Sequence, residues 1–199
     1  MAHVKRGKRV AADLIPVPQA EGAPDASAEP AAPVHPVRKP VGPDAIFLFT
    51  DGACKGNPGP MGIGVLLRYG KAEKVIAEPL GVGTNNIAEL TAIERGLQQI
   101  RRRDLPVVIL SDSTYAIGVL PGRMRAKKNV DLVKRIALLI AEFQDIRFRK
   151  VAGHSGHPEN EEADRLATRA AEEGVRIDEL RTRSEGETAR AVGRLAPEA

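Results

Sequence analysis

Hydrophobic positions between residues 46 and 173 follow two periods, one typical of strands and one typical of helices. Five segments carry the short apolar or alternating pattern of strands: Ile46–Phe49, Ile63–Tyr69, Lys74–Leu80, Val107–Leu110 and Ile146–Val151. Gly70 lies between the second and third of these segments, which predicts a hairpin turn. The glycine- and proline-rich segment Gly52–Gly62 is predicted to be a loop.

Helical spacing of apolar residues marks the remaining segments. Four helices are predicted: from a cap at Asn85 or Asn86 to about Arg102, from Ser113, over Asp131–Phe143, and over Pro158–Glu173. Proline suits the first helical turn and glycine the position past the last, which Gly174 occupies. The order β-β-β-α-β-α-α-β-α predicts an α/β fold, with a mixed five-stranded sheet of three antiparallel strands and then parallel strands, flanked by helices.

Composition divides the chain into a folded body and two tails. Eight of the 15 prolines lie in residues 1–44, which contain no aromatic residue, so we expect this Pro/Ala-rich segment to be disordered. All six aromatic residues lie between Phe47 and Phe148, which places the folded body at about 45–174. Residues 175–199 are polar and are expected to be partly helical or disordered, with Ile177–Arg183 at most a marginal helix.

Charge and cysteine content exclude some classes of protein. The net charge of +4 is compatible with nucleic-acid binding but is weak evidence for it. Cys54 is the single cysteine, so no intramolecular disulfide forms and a cysteine-based zinc site is disfavoured. No apolar run approaches the roughly 20 residues of a membrane span. The apolar stretch after the basic N-terminus is too short for a signal peptide, so we expect a cytoplasmic protein.

Four acidic residues stand out from this pattern. Asp51 and Asp112 end the two most apolar strands, Glu89 lies one turn into the first long helix, and Asp164 lies on the last. Burying a lone carboxylate costs several kcal/mol or shifts its pKa toward neutrality, whereas converging carboxylates suit a hard divalent cation. Each acid alone also fits a turn, a cap or a solvated helix face, so spacing by itself indicates only a metal or phosphate site.

Four sequence blocks resemble ribonuclease HI, and they occur in the family's order across about 45–174. The blocks are Phe49-Thr50-Asp51-Gly52-Ala53-Cys54-Lys55-Gly56-Asn57-Pro58-Gly59-Pro60, then Thr84-Asn85-Asn86-Ile87-Ala88-Glu89-Leu90, then Ser111-Asp112-Ser113, then Gly153-His154-Ser155-Gly156-His157-Pro158-Glu159-Asn160-Glu161-Glu162-Ala163-Asp164. Each block alone is only suggestive, but a chance match to all four is negligible. The predicted strand–helix order agrees with the ribonuclease H fold.

This resemblance implies an endonuclease that hydrolyses the RNA strand of RNA–DNA hybrids. The four acids Asp51, Glu89, Asp112 and Asp164 would bind two Mg²⁺ ions, or Mn²⁺ in substitution, and cleavage would leave 5′-phosphate and 3′-hydroxyl ends. His154 matches the family's loop histidine, which is thought to help move protons or release product. A surface histidine is the alternative, and a zinc site at His154 and His157 is disfavoured.

Substrate contacts are also implied by the resemblance. Asn57, Asn85 and Asn86, with backbone groups near Cys54 and Gly56, would contact the RNA minor groove, and Thr84 a DNA phosphate. Only the 2′-hydroxyl separates RNA from DNA at a given position, so these contacts would select the RNA strand. A simple turn at Asn57 and a simple cap at Asn85 remain alternatives.

The chain departs from well-known bacterial relatives after the third block. Those relatives carry a long basic protrusion with tryptophan, whereas only Ala116–Lys128 separates Tyr115 from Asn129 here, and the chain has no tryptophan. The basic run Arg123–Lys128 is either a shortened phosphate-binding remnant or a solvated loop. We expect weaker hybrid affinity than in relatives with the protrusion, and no membrane or obligate protein partner, hence a monomer.

Three other functions fit the sequence less well than an active nuclease does. A non-cutting binding module would not need all four acids together with His154. A phosphatase with an aspartyl nucleophile usually shows Asp-x-Asp-Gly, but Phe49 stands two residues before Asp51. A transposase or junction resolvase of the same superfamily is not expected to carry the second and fourth blocks together.

Overall fold

The computed structural model describes residues 41–42, 44–152 and 157–184. Of the predicted N-terminal tail, residues 1–44, the structure describes only residues 41–42 and Asp44. The strands and helices are β1 (Ile46–Cys54), β2 (Gly59–Tyr69), β3 (Ala72–Gly83), α1 (Asn85–Gln99), β4 (Val107–Ser111), α2 (Thr114–Val119), α3 (Val130–Ala141), β5 (Ile146–Lys150), α4 (Pro158–Glu173) and β6 (Ile177–Thr182). Within these described ranges, no helix combines the length and the apolar character needed to cross a bilayer.

The strands form one mixed sheet in the order β5-β4-β1-β2-β3-β6. Antiparallel pairing joins β1 to β2, β2 to β3 and β3 to β6, whereas β4 pairs in parallel with both β1 and β5. The α/β fold and the three antiparallel strands followed by parallel strands are therefore confirmed. The strand count is corrected from five to six.

The sixth strand lies where the sequence predicted at most a marginal helix. β6 pairs antiparallel with Ala72–Ala77 of β3, and Lys74 forms a 2.6 Å ion pair with Asp178. Only Ile177 packs against the core, and the other five residues of β6 are exposed. The sequence of β6 therefore shows no alternation of apolar and polar residues. Its backbone pairing with β3, and not the burial of its side chains, stabilises this strand.

The glycine-rich segment is mostly strand, which corrects the predicted loop Gly52–Gly62. β1 continues to Cys54 and β2 begins at Gly59, so the loop is confined to residues 55–58. The glycines of β2 allow α4 to lie directly on the sheet: a Cβ at Gly64 would lie 1.9 Å from the carbonyl oxygen of Ala163. Glycine in a strand interior commonly marks such a close backbone approach.

Helix boundaries agree with the sequence at α4 and differ at α1. α4 begins at Pro158 and ends before Gly174, which has the left-handed φ of 67° expected of a glycine past a helix end. Thr84, not Asn85 or Asn86, is the N-cap residue of α1, and the helix ends at Gln99 instead of near Arg102. The cap carbonyl of Thr84 accepts the Ile87 N–H at 3.0 Å.

Two apolar clusters cover the opposite faces of the sheet. One contains Leu48 of β1 with the inner faces of α1 and α3, and the other contains Phe49 of β1 with α4. Side chains alternate along a strand, so Asp51 lies on the same face as Phe49 and points toward α4. This alternation places the first candidate acid beside the helix that carries the fourth.

Candidate active site

Asp51 is a buried carboxylate near the C-terminal end of β1. Its side chain is 9% exposed, and its partner in the β1–β2 register is Gly64. Gly64 is also the position at which the backbone of α4 meets the sheet, at Ala163. The residue after Ala163 is Asp164, so the same close approach brings the two acids together.

Asp51 and Asp164 share a hydrogen bond between their carboxyl groups. The pKa of Asp51 is raised to about 8, first by burial and then by the charges of Asp112 and Asp164, while the Gly52 N–H acts in the opposite direction. A hydrogen bond between two carboxyl groups requires a proton on one of them, which is the expected state of two close acids without a neutralising cation.

Glu89 is placed by the packing of α1 over Gly52. A Cβ at Gly52 would lie 2.2 Å from the backbone nitrogen of Glu89, so no larger residue fits between β1 and α1 there. The side chain is half-buried, and Asn85 Nδ2 donates a 3.0 Å hydrogen bond to Glu89 Oε1. Burial raises the pKa of Glu89, the Ser113 hydroxyl lowers it and the charge of Asp112 raises it.

Asp112 follows β4 and lies within electrostatic reach of both neighbouring acids. Its charge raises the pKa of Asp51 on one side and of Glu89 on the other. The carbonyl oxygen of Ser111, the residue before it, accepts the Val151 N–H at 3.1 Å, which fixes the end of β4. Among the residues that the structure describes, no three His, Cys, Asp or Glu side chains form a ready-made metal cage. Asp51 interacts directly with Asp164, and the charge of Asp112 acts on both Asp51 and Glu89.

Ser113 contacts the site, although it was not among the site residues predicted from the sequence. Its hydroxyl donates a short hydrogen bond to Glu89 Oε2 and accepts the Ala116 N–H at 3.1 Å. Its own N–H donates to Ser111 Oγ at 3.2 Å. The sequence predicted a helix from Ser113, which is the N-cap residue one position before α2, but this capping role gave no indication that the same hydroxyl also orients Glu89.

The six predicted substrate-contact residues lie along one edge of the fold. Asn57 Oδ1 accepts the backbone N–H of Asn85 at 3.3 Å, which links the loop 55–58 to the start of α1. Cys54 Sγ donates to the carbonyl of Gly83 at 3.3 Å. Gly56 has a φ of 88°, which favours glycine, while Thr84 and Asn86 are half-buried at the first turn of α1. His154 lies outside the described residues.

Comparisons with known proteins identify the family of this chain. The sequence model of the family described as RNase H matches residues 43–172. Ribonuclease H of Saccharopolyspora erythraea is 41% identical over 143 residues, which is 65% of this chain and 92% of that protein. Ribonuclease H of Neisseria meningitidis serogroup C is 42% identical over 139 residues, covering 63% of this chain and 94% of the relative.

A solved structure shows the same likeness in three dimensions. LC11-RNase H1, in its crystal structure with an RNA/DNA hybrid, matches with a TM-score of 0.57 and 27% sequence identity. The match covers 65% of this chain and 98% of that one. The expectation drawn from the four sequence blocks is thereby confirmed: the chain belongs to the RNase H family of hydrolytic nucleases.

Proposed function

We propose that this protein is an endonuclease that hydrolyses the RNA strand of RNA–DNA hybrids and leaves 5′-phosphate and 3′-hydroxyl ends. The observation that carries the proposal is the contact of Asp51 with Asp164, with the charge of Asp112 close enough to act on both Asp51 and Glu89. Carboxylates crowded in this way at the ends of β1 and β4 suit phosphodiester chemistry, and a structural neighbour is described in complex with an RNA/DNA hybrid.

The donor set fits hard divalent cations, which take carboxylate oxygens as ligands. Asp51, Glu89, Asp112 and Asp164 would hold two Mg²⁺ ions, with Mn²⁺ as a substitute. Such cations would supply an activated water and stabilise the departing 3′ oxygen, and their charge would offset that of the neighbouring carboxylates.

The protein's own residues orient this site. Ser113 and Asn85 each donate to a different oxygen of Glu89, so the carboxylate is held in one orientation before substrate binds. The Asp51 carboxyl group interacts with both Asp164 and the Gly52 N–H. Preorganised ligands avoid the free-energy cost of rearrangement during the reaction.

Selection of the RNA strand is assigned to the edge formed by the loop 55–58 and the start of α1. The link between Asn57 and Asn85 supports this assignment, because it holds the Asn57 side chain at the backbone of the first residue of α1. Asn86 and backbone groups near Cys54 and Gly56 would contact 2′-hydroxyls, and Thr84 a DNA phosphate. His154 would assist proton transfer or product release. A monomeric, cytoplasmic enzyme remains a prediction.

A cleavage assay tests the proposed function. Labelled RNA–DNA hybrid, double-stranded RNA and double-stranded DNA are each incubated with Mg²⁺ and with chelator, and the product ends are identified by phosphatase and kinase labelling. We expect cleavage of the RNA strand of the hybrid alone, only with the cation. Cleavage in chelator, or products with 2′,3′-cyclic ends, would contradict the proposed chemistry.

Two substitutions separate cleavage from binding. Asp51→Asn and Asp112→Asn should each reduce the cleavage rate by several orders of magnitude while hybrid binding survives, because they remove a ligand charge without changing side-chain volume. Glu172→Gln, at an exposed acid on α4, is the control and should cleave normally. Normal cleavage by Asp51→Asn would refute the metal assignment. Binding without cleavage by the wild-type protein would instead favour the non-cutting module.

A further inference from the structure

Four charged side chains are buried together where β2, β3 and the first turn of α4 meet. We name this group the Arg68 cluster: Arg68, Glu73, Glu159 and Arg183, with side chains that are 12%, 8%, 6% and 8% exposed. Burying charged groups is unfavourable unless they are paired and hydrogen-bonded. Such a cluster therefore contributes less to net stability than to fixing one arrangement of the elements that it joins.

The contacts run in sequence from the C-terminal strand to α4. Arg183 Nε lies 3.8 Å from Glu73 Oε2, and the Arg183 N–H donates to the Lys71 carbonyl at 2.8 Å, which extends the pairing of β6 with β3. Arg68 Nε donates a short hydrogen bond to Glu73. Arg68 Nη1 donates to Glu159 Oε1 at 2.6 Å. Each of the two carboxylates thus contacts at least one guanidinium group.

Arg68 contacts both of the elements that carry the hydrogen-bonded acids. Its guanidinium lies 5.6 Å from the centroid of the Phe49 ring, and Phe49 shares its face of β1 with Asp51. Its other contact, Glu159, is the second residue of α4, the helix on which Asp164 lies one turn further along. The position of α4 relative to β1 sets the contact between Asp51 and Asp164.

We propose that Arg183 is a positioning residue of the active site. By sharing the charge of Glu73, it leaves Arg68 directed toward Glu159, which holds the first turn of α4 and keeps Asp164 against Asp51. The C-terminal strand is then part of the catalytic machinery, although it lies beyond the segment that matches the RNase H family, residues 43–172. The effect of Arg183 on catalysis rests on the proposed nuclease function, whereas its effect on α4 does not.

A second substitution can remove the competition for Arg68. In Arg183→Met, Glu73 loses its contact with the Arg183 guanidinium, so Glu73 competes more strongly with Glu159 for Arg68. Adding Glu73→Gln removes the competing charge. If the ion pairs only stabilise the fold, the second substitution should speed hydrogen exchange in α4 still further. If Arg183 positions α4, the second substitution should slow that exchange again.

Hydrogen exchange of α4 tests the structural step without any substrate. We expect amides of residues 161–165 to exchange about tenfold faster in Arg183→Met, which corresponds to about 1.4 kcal/mol, and to recover in Arg183→Met/Glu73→Gln. Arg169→Met is the matched control, because Arg169 forms an exposed ion pair with Glu173 on the same helix, and it should leave these amides unchanged. Unchanged exchange in Arg183→Met, or no recovery in the double variant, would overturn the proposal.

Cleavage kinetics test the catalytic step. At a temperature well below unfolding, Arg183→Met should lower kcat and raise the half-saturating Mg²⁺ concentration several-fold, with the KM for hybrid unchanged. Arg183→Lys, which keeps the charge, should recover most of the loss, and Arg183→Gln serves as the test variant if Arg183→Met does not fold. A lower melting temperature with wild-type kcat and Mg²⁺ dependence would refute the positioning role. If the wild-type protein cleaves no hybrid, the nuclease proposal fails, while hydrogen exchange still decides the role of Arg183 in holding α4.

Discussion

At the scale of single residues, the site concentrates negative charge where the fold excludes water. Asp51 is buried, and the charges of Asp112 and Asp164 oppose its ionisation. Such an arrangement destabilises the folded state in the absence of a cation, since the unfolded chain ionises the same carboxyl group freely. The burial of Asp51 beside these acids therefore costs stability.

The raised pKa of Asp51 predicts a pH dependence of stability in chelator. The folded state keeps a proton that the unfolded chain releases above its ordinary pKa of 3.8, so the stability contribution is full below that value. It is lost as the pH rises toward about 8, the pKa in the folded state. Asp51→Asn removes this titration, so its melting temperature should exceed that of the wild type increasingly from pH 4 to pH 8.

Calorimetry between pH 4 and pH 8 measures this difference. Each kcal/mol in the free energy of unfolding changes the melting temperature of a protein of this size by roughly 2–4 °C. A difference of several degrees is therefore expected at pH 8. Asp178→Asn, at an exposed acid of β6, controls for the loss of an acidic group in general. Parallel pH profiles for the wild type and Asp51→Asn would show that Asp51 ionises normally.

Ser113 is predicted to support catalysis through Glu89. Ser113→Ala removes the donor to Glu89 Oε2 and should lower kcat by about tenfold, because a hydrogen bond to a charged group contributes about 1.5–3 kcal/mol. The same change removes the N-cap of α2, which costs about 0.5–2 kcal/mol of stability. Ser113→Thr keeps the hydroxyl and should restore both. A full kcat in Ser113→Ala, measured on a folded sample, would exclude this role.

At the scale of elements, the sequence predicted those segments whose own side chains determine their structure. The apolar strands β1 and β4 and the proline- and glycine-bounded helix α4 lie where they were expected. The predictions were wrong where a neighbouring element decides: glycines of β1 and β2 are strand because α1 and α4 cover them, and β6 is a strand because β3 offers an edge. A local pattern cannot show either partner.

Gly64 is predicted to be essential to the seating of α4. Gly64→Ala would place a Cβ 1.9 Å from the Ala163 carbonyl, so the helix must move away and the protein should lose about 1–3 kcal/mol. Because Asp164 moves with the helix, the cleavage rate of the folded protein should also fall, beyond what the loss of folding stability explains. Gly81→Ala in β3 is the matched control, since its Cβ would meet nothing within 4 Å. Denaturant unfolding and cleavage rates check both variants, and equal behaviour would contradict the close approach.

At the scale of the whole molecule, the four acids come from four elements that are distant in sequence. The resemblance predicted which acids belong together, and the two glycines explain how the fold achieves it: Gly52 admits α1 with Glu89, and Gly64 admits α4 with Asp164. The contacts of Ser113 and of the Arg68 cluster could not be predicted, because they join side chains up to 110 positions apart, as Glu73 and Arg183 are.

The predicted body of residues 45–174 would omit β6, and this omission has a measurable consequence. A chain that ends at Gly174 loses the strand that pairs with Ala72–Ala77, the contact of Ile177 with the core and the buried Arg183. A chain that ends at Ser184 keeps all three. We therefore expect the shorter chain to unfold at lower denaturant concentration and to cleave more slowly when folded, because exposing the edge of β3 leaves its backbone groups unpaired and Glu73 with one cation fewer. Equal unfolding midpoints for the two chains would mean that β6 adds nothing to the domain.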